Sequence, residues 1–316
     1  MSQAEAALES GKTEISKWDD DTLPAVRAPE ASSGLPAPAE TLFPQEIAAE
    51  EETQVLIANS QRLLMTMRQA MQTLMQDQGP SPEEKGALLY DLLLAWTRQF
   101  YDSPQCRSGP LMDVARDLVG TLYRLLAAAP RLGLLALSLR RLDAGLAGHC
   151  LNVSLLALSY ARHYAWPETA ARTLGLGALL HDLGMTALPG AWEKSGPLSS
   201  DELELLRRHP QGGVQLLKPF PHLPGKVFLM VAQHHENADG SGYPLGLPLA
   251  AIHPYARLLR ILDTFEALTS VRPWRPPLSP AKALSCMLYS GAHGTEFDLR
   301  LLENVRRFLD RLSHQE

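Results

Sequence analysis

The chain has 316 residues, is 45% apolar and 20% charged, and carries a formal net charge of −6 with a pI near 5.9. That length allows one or two domains with a sizeable core, and the acidic balance excludes a general nucleic-acid binder, which needs a basic face. Three scattered cysteines, Cys106, Cys150 and Cys286, form no CxxC pair, which excludes a disulfide framework or a zinc knuckle and fits a reducing cytosol.

Residues 1–45 are rich in Ala, Glu, Pro and Ser, with prolines at Pro24, Pro29, Pro36, Pro38 and Pro44, and no apolar periodicity. They are predicted to be a disordered tail. The start of the chain lacks the charged and apolar segments of a signal peptide, and no apolar run approaches the ~18 residues of a membrane span. A cytoplasmic protein without a membrane span is expected.

From about Gln45 to Gln78 the pattern becomes helical. Leu56, Leu63, Met67, Ala70 and Leu74 form a short heptad-like stripe. It reads either as the core face of a bundle helix or as a coiled coil giving a homodimer through residues 46–78. Gly79-Pro80 breaks this helix, and Ser81-Pro82-Glu83-Glu84 has the form of a capping box opening a second helix that runs to about Tyr101. Ser103 to Pro110 is a predicted loop, and a third helix is expected over Leu111–Ala128. Residues 46–129 therefore read as a small helical region without a nucleotide motif. From 130 to 316, Leu and Ala abound, Val, Ile and Thr are sparse, and no strand alternation stands out. The predicted fold class is all-α, with a second domain over residues 130–316.

The chemistry lies in that second part. Five of the ten histidines fall into a series with two aspartates: His149, His181-Asp182, His209, His234-His235 and Asp263. Successive members stand 25 to 32 residues apart, enough for one helix and one loop, so a bundle can project each inward from a different helix. Imidazole and carboxylate suit Zn, Fe, Mn, Co and Ni. Five imidazoles and two carboxylates are too many for one ion but fit two ions that share an aspartate. Such a pair acidifies a bridging water and neutralises charge at a phosphoryl centre. Adjacent HD and HH pairs inside Leu-rich helices are costly to bury unless something binds them.

The segments HCLNV (149–153), LLHDLGM (179–185), RRHPQGG (207–213), HHENADGSGYP (234–244) and ILDTFEALTSVRPW (261–274) resemble, in order, the motifs of the HD-GYP family of cyclic di-GMP phosphodiesterases. LSSDEL before His209, SPAKAL (279–284) and GTEFD (294–298) extend the resemblance over roughly residues 140–312. It implies an HD-superfamily helical bundle and two divalent metal ions, Fe or Mn foremost, with Zn, Ni or Co as alternatives. His149, His181 and Asp263 would hold one ion, His209, His234 and His235 the other, and Asp182 would bridge them. His181 and Asp182 would be the catalytic pair. A bridging hydroxide would cleave cyclic di-GMP to pGpG, GMP or both. Asp239, Gly240, Gly242, Tyr243 and Pro244 would form the loop beside the site, a loop associated in the family with substrate handling and partner contacts, such as GGDEF-type signalling proteins. Arg272 and Arg275 match an arginine-containing segment that either contacts substrate phosphate or a carbonyl, or serves structure alone. The glycines and proline of DGSGYP are also tight-turn chemistry, which leaves Tyr243 either presenting its hydroxyl to a ligand or packing over the loop.

Two positions depart from the family pattern. Met185 stands where the family usually has lysine, and an apolar thioether cannot place a positive charge near a phosphate. The alternative to an efficient enzyme is therefore a catalytically weak member acting as a cyclic di-GMP sensor or protein-interaction module. Gly145 stands where some members carry a glutamate for a third metal, which leaves two metals as the expectation.

Overall fold

A computed structural model describes residues 58–102, 109–128, 145–188, 196–272 and 275–313, apart from scattered residues between 60 and 80 and residues 197, 221 and 295. The expected tail over 1–45, most of the heptad stripe and its dimer contact, and the 129–144 segment where the second domain is expected to begin lie outside the described residues. Among the described residues every regular element is helical, and the single β-bridge joins Arg272 to Arg275.

Helix α1 spans Pro82–Asp102 and α2 spans Gly109–Ala128. The predicted capping box opens α1: the Ser81 amide donates to Glu84 Oε2 (2.8 Å) and the Glu84 amide to Ser81 Oγ (3.2 Å). The helical residues just upstream are tied to α2 by Arg68, which pairs with Asp117 at 3.2 Å. Next come α3 (Leu146–His163) and α4 (Glu168–Leu180), then a 3₁₀ turn (Leu183–Ala187). Three short helices follow, α5 (Ser200–Leu206), α6 (His209–Leu217) and α7 (Gly225–Gln233). The chain closes with α8 (Pro254–Thr269), α9 (Pro280–Gly294) and α10 (Leu299–Ser313).

Helix α3 is the axis of the bundle. Fourteen of its eighteen residues are buried, so it lacks the one-sided apolar stripe of a surface helix. It packs against α4, α1, α2 and α8, while α4 reaches α2 and α7. At the periphery, α10 shows the opposite design. Leu301, Leu302, Val305, Phe308 and Leu309 face inward at helical spacing, while Glu303, Arg306, Arg307 and Asp310 pair on the outer face. One continuous apolar core runs from Leu89 on α1 to Leu309 on α10, so α1 and α2 share their interior with the helices that carry the histidines.

Candidate metal centre

The fold brings the seven chemistry-bearing residues together from five places. His149 lies in the first turn of the buried helix α3. His181 and Asp182 follow the last residue of α4, and the chain then folds into the 3₁₀ turn. Gly184 permits this turn to lie against the start of α6: a Cβ there would stand 1.9 Å from the His209 carbonyl oxygen. That contact sets Asp182 beside His209, the first residue of α6. His234 and His235 follow the end of α7, and Asp263 projects from the middle of α8.

Their ring nitrogens and carboxylates converge in two groups that share Asp182. Asp182, His209, His234 and His235 offer ligand atoms within 4.8 Å of one another, as do His149, His181 and Asp182. Asp263 joins the second group, with Oδ1 3.0 Å from His149 Nε2 and 3.9 Å from His181 Nε2. Asp182 Oδ1 faces His209 Nε2 (3.1 Å) and His234 Nε2 (3.4 Å), while Oδ2 faces His181 Nε2 (3.5 Å) and His149 Nε2 (3.8 Å).

Tautomers follow from the atoms behind the rings. The Nδ1 of His181 lies 2.8 Å from Ala178 O, that of His209 2.7 Å from Leu206 O, and that of His234 2.9 Å from Val231 O. A carbonyl only accepts, so each Nδ1 carries a hydrogen, and the tautomer this selects has its Nε2 lone pair turned inward. The Nε2 atoms of His209 and His234 are then 3.1 Å apart, two lone pairs facing each other and both facing a carboxylate. His181 Nε2 and Asp182 Oδ1 are buried without a hydrogen-bond partner. Burial holds the His181 imidazole neutral, lowering its pKa to about 4, and pushes His235 well below its ordinary value. Protons therefore do not fill the positions of His181 and His235. Oriented lone pairs around two buried carboxylates fit a metal cation, and the donor set suits a first-row divalent ion.

The carboxylates stay ionised although burial opposes it. The surrounding histidines hold Asp182 and Asp263 well below the usual range. His149 differs from the other rings. Burial presses it towards neutrality, but Glu266 and Asp263 outweigh that and raise its pKa to about 9. Its Nδ1 meets the carboxylate of Glu266 instead of a main-chain carbonyl.

The loop after His235 is built on turn chemistry. Asp239 Oδ1 accepts from the Ser241 amide (2.9 Å) and hydroxyl (2.6 Å), and Gly240 takes φ +81°. A Cβ on Gly242 would meet the Asn237 nitrogen at 2.2 Å, so only glycine fits that crossing. The Tyr243–Pro244 peptide is cis. The Tyr243 ring stacks on His235 with centroids 4.7 Å apart, and the Arg207 guanidinium lies 5.7 Å from its centroid. Burial and the nearby Asp182 and Asp263 push the Tyr243 phenol up, so it stays protonated.

Of the residues singled out as substrate contacts, the two arginines are engaged elsewhere. Arg272 is buried and donates to Glu266 Oε2 at 3.1 Å. Arg275 donates to the carbonyls of Leu268 (3.0 Å), Ala267 and Pro276, tying down the end of α8. The turn after Thr269 folds the chain back across α8, which aims both side chains at α8 and its surroundings.

Sequence reasoning missed three supporting residues. Glu266 lies one turn beyond Asp263 on α8 and is fully buried, an acid in an apolar run at i+3 that spacing alone could have flagged. Glu236 is buried and accepts from the Leu245 (2.7 Å) and Leu247 (2.9 Å) amides, holding the loop. Gln233 accepts from the His253 amide at 2.8 Å.

Taken together, the described residues form a helical bundle closed around inward-facing histidines and a shared aspartate, a donor set that could hold metal ions. Residues 121–301 match the HD domain family, and the chain belongs to it. It is 33% identical over 190 residues to a cyclic di-GMP phosphodiesterase of Pseudomonas aeruginosa, covering 59% of this chain and 46% of that protein. It is 34% identical over 175 residues to the cyclic di-GMP phosphodiesterase response regulator RpfG of Xanthomonas campestris, covering 55% and 46%. A 3'3'-cGAMP-specific phosphodiesterase of Vibrio cholerae is 31% identical over 147 residues, covering 46% of this chain and 34% of that protein. The chain thus spans about half the length, or less, of the curated relatives it matches. Among solved structures, an HDG"Y"P protein from Bdellovibrio bacteriovorus shares the fold, with a TM-score of 0.62, 20% identity and 77% of each chain covered. The HD-GYP resemblance read from the motifs and the all-α fold class are borne out. No helix among the described residues is long and apolar enough to cross a membrane.

Proposed function

We propose that this chain is a metal-dependent phosphodiesterase that hydrolyses cyclic di-GMP to pGpG, GMP or both, using two divalent ions, Fe or Mn ahead of Zn, Ni or Co. The observation that carries the reading is the pair of buried, unpartnered atoms, His181 Nε2 and Asp182 Oδ1, at the meeting point of the two ligand groups. His149, His181 and Asp263 would hold one ion, His209, His234 and His235 the other, with Asp182 shared. When bound, the ions would acidify a water and neutralise charge at the phosphorus under attack.

The chain's own residues do the rest. Asp182 stays ionised because the surrounding histidines favour its charged form, so both of its oxygens are available to cations. The carbonyls of Ala178, Leu206 and Val231 fix three rings in the ligating tautomer before anything binds. Asp239, Gly240, Gly242 and Pro244 shape the loop that sets Tyr243 against His235, giving a flat aromatic wall suited to a nucleobase or sugar. Arg207 stands at that wall, exposed, and no carboxylate pairs with it among the described residues. A cytoplasmic setting agrees with the free Cys150 and Cys286 among the described residues.

The test is product analysis by chromatography after incubating metal-loaded protein with cyclic di-GMP. Linear pGpG or GMP is expected, and no product under Fe, Mn or Ni loading refutes the reading. A parallel reaction with 3'3'-cGAMP addresses a second reading, favoured by the relatives specific for that dinucleotide. Faster turnover of 3'3'-cGAMP would reassign the substrate. Tight cyclic di-GMP binding without turnover would favour the sensor reading, for which the buried Met185 argues.

A further inference from the structure

The four histidine rings whose backing atoms are described are not backed alike. His181, His209 and His234 each lean on the carbonyl three residues earlier in their own helix or turn. Such a carbonyl is fixed by the local backbone and cannot be adjusted from elsewhere. His149 leans on a side chain, Glu266, which comes from a different helix, α8.

Glu266 is itself held from several directions. It accepts from Asn152 Nδ2 (2.9 Å), Arg272 Nη2 (3.1 Å) and Ser270 Oγ (2.5 Å), and all of these groups are buried. Asn152 in turn accepts from the Tyr90 hydroxyl at 3.1 Å. Tyr90 lies on α1, is 1% exposed, and sits outside residues 121–301 that match the HD domain family. A continuous run of buried hydrogen bonds therefore leads from α1 through Tyr90, Asn152 and Glu266 to His149.

Each member of the run has a fixed sense. Tyr90 donates, the Asn152 amide accepts on its oxygen and donates on its nitrogen, and the Glu266 carboxylate accepts from Asn152 on Oε1 and from His149 on Oε2. His149 Nδ1 must then carry a hydrogen, which aims its Nε2 at Asp182 and Asp263 and leaves that nitrogen as the one a cation would take. A full negative charge behind the ring also makes His149 a stronger donor to a cation than a ring backed by a neutral carbonyl. Arg272, whose Nη2 lies 3.1 Å from Glu266 Oε2 and 3.2 Å from His149 Nδ1, balances that charge, which explains why a buried carboxylate is tolerated.

We propose that the relay Tyr90–Asn152–Glu266 positions His149 and sets the affinity of one half of the centre, the half holding His149, His181 and Asp263, independently of the half built on His209, His234 and His235. The residues of the relay are positioning residues, and they make α1 a working part of the metal centre. The inference rests on the two-ion reading above, but its test needs no substrate.

The experiment is a chelator titration of Mn²⁺-loaded full-length protein, followed by elemental analysis of the metal retained. Wild type is expected to release its two equivalents in separate steps. Glu266→Gln, which keeps one acceptor oxygen and removes the charge, is expected to weaken one equivalent about 10- to 100-fold and leave the other within about twofold. Tyr90→Phe removes only the outermost hydroxyl and is expected to weaken the same equivalent a few-fold. It carries the test if Glu266→Gln fails to fold by circular dichroism. Unchanged release of both equivalents in the folded variants overturns the proposal, as does equal weakening of both. Wild type that binds two equivalents of Mn²⁺ yet leaves cyclic di-GMP intact defeats the phosphodiesterase reading and leaves this one standing. Wild type that binds no Mn²⁺ overturns both.

Discussion

Gly184→Ala tests whether main-chain contact between the 3₁₀ turn and α6 builds the centre. The added Cβ would lie 1.9 Å from His209 O, 2.8 Å from His209 C and 2.7 Å from Gly213 N. All three atoms are backbone, so no rotamer change relieves the clash. Real Cβ atoms essentially never approach closer than 3.0 Å, so the gap from the His209 carbonyl must open by about 1.1 Å. The displacement falls between Asp182, two residues before the glycine, and His209, whose side chains face each other at 3.1 Å. A misplacement of ~1 Å in a reacting constellation costs about 10²-fold in rate, and overpacking costs about 1–3 kcal/mol of stability. The variant is expected to lose about 10²-fold in kcat with cyclic di-GMP, retain less metal after dialysis, and melt several degrees lower. Gly225→Ala, where a Cβ meets nothing within 4 Å, is the matched control and should change none of these. Wild-type turnover and metal content in Gly184→Ala would refute the claim that this close approach sets the ligand geometry.

Met185→Lys places an ammonium group directly after the HD pair. If the missing cation limits turnover, steady-state kcat should rise by about 10²-fold, the size of one transition-state contact, and an unchanged kcat at equal metal content would show that it does not. Metal removal by chelator should lower the melting temperature by several degrees in scanning calorimetry, since binding at 100-fold above Kd contributes about 2.7 kcal/mol; an unshifted melt would argue against a loaded centre. Glu236→Ala strips the acceptors from the Leu245 and Leu247 amides, and limited proteolysis should then cut between 237 and 247 faster than in wild type. His253 is held neutral by burial and by Lys226 and Arg257, with its pKa lowered to about 4. As pH falls below 6.5 the unfolded chain takes the proton first, so stability should decline from pH 6.5 down to about 4 and level off beyond. His253→Asn keeps an acceptor for the Tyr255 amide and should flatten that slope in urea melts, whereas an unchanged slope would place its origin elsewhere.

Much of the centre was legible because its chemistry is carried by uncommon residues at helix-plus-loop spacing. Histidines and aspartates in Leu-rich surroundings need a reason, and the five segments kept their order and gaps. The turn glycines were equally readable, since Gly240 and Gly242 announce backbone that no other residue fits. The relay behind His149 was not readable in the same way. Its key contact joins residues 117 positions apart, and Asn152 and Tyr90 look like ordinary members of apolar helices. The role of the arginines stayed open for a related reason. A guanidinium suits a phosphate, a carboxylate or a carbonyl, and only the fold at the end of α8 decides which one Arg272 and Arg275 meet.

The same limit applies to α1 and α2. Their apolar faces announce that something covers them, but amphipathicity does not say whether the cover is a partner helix of their own region, a second chain or the bundle that follows. Here Leu93, Trp96, Leu118 and Leu122 enter the core shared with α3 and α4. Two tyrosines of α1 then reach the ligands' surroundings: Tyr90 through Asn152, and Tyr101 through the carbonyl of Leu179, two residues before His181. A helix that merely shielded apolar surface would not need one buried hydroxyl aimed at the backing of a ligand histidine and another at the main chain beside a second. A burial cost of about 1–3 kcal/mol for each hydroxyl without a partner makes those contacts specific to one docking of α1. Any movement of α1 must break them, and it would register first at His149, whose ring is backed by the run that starts at Tyr90.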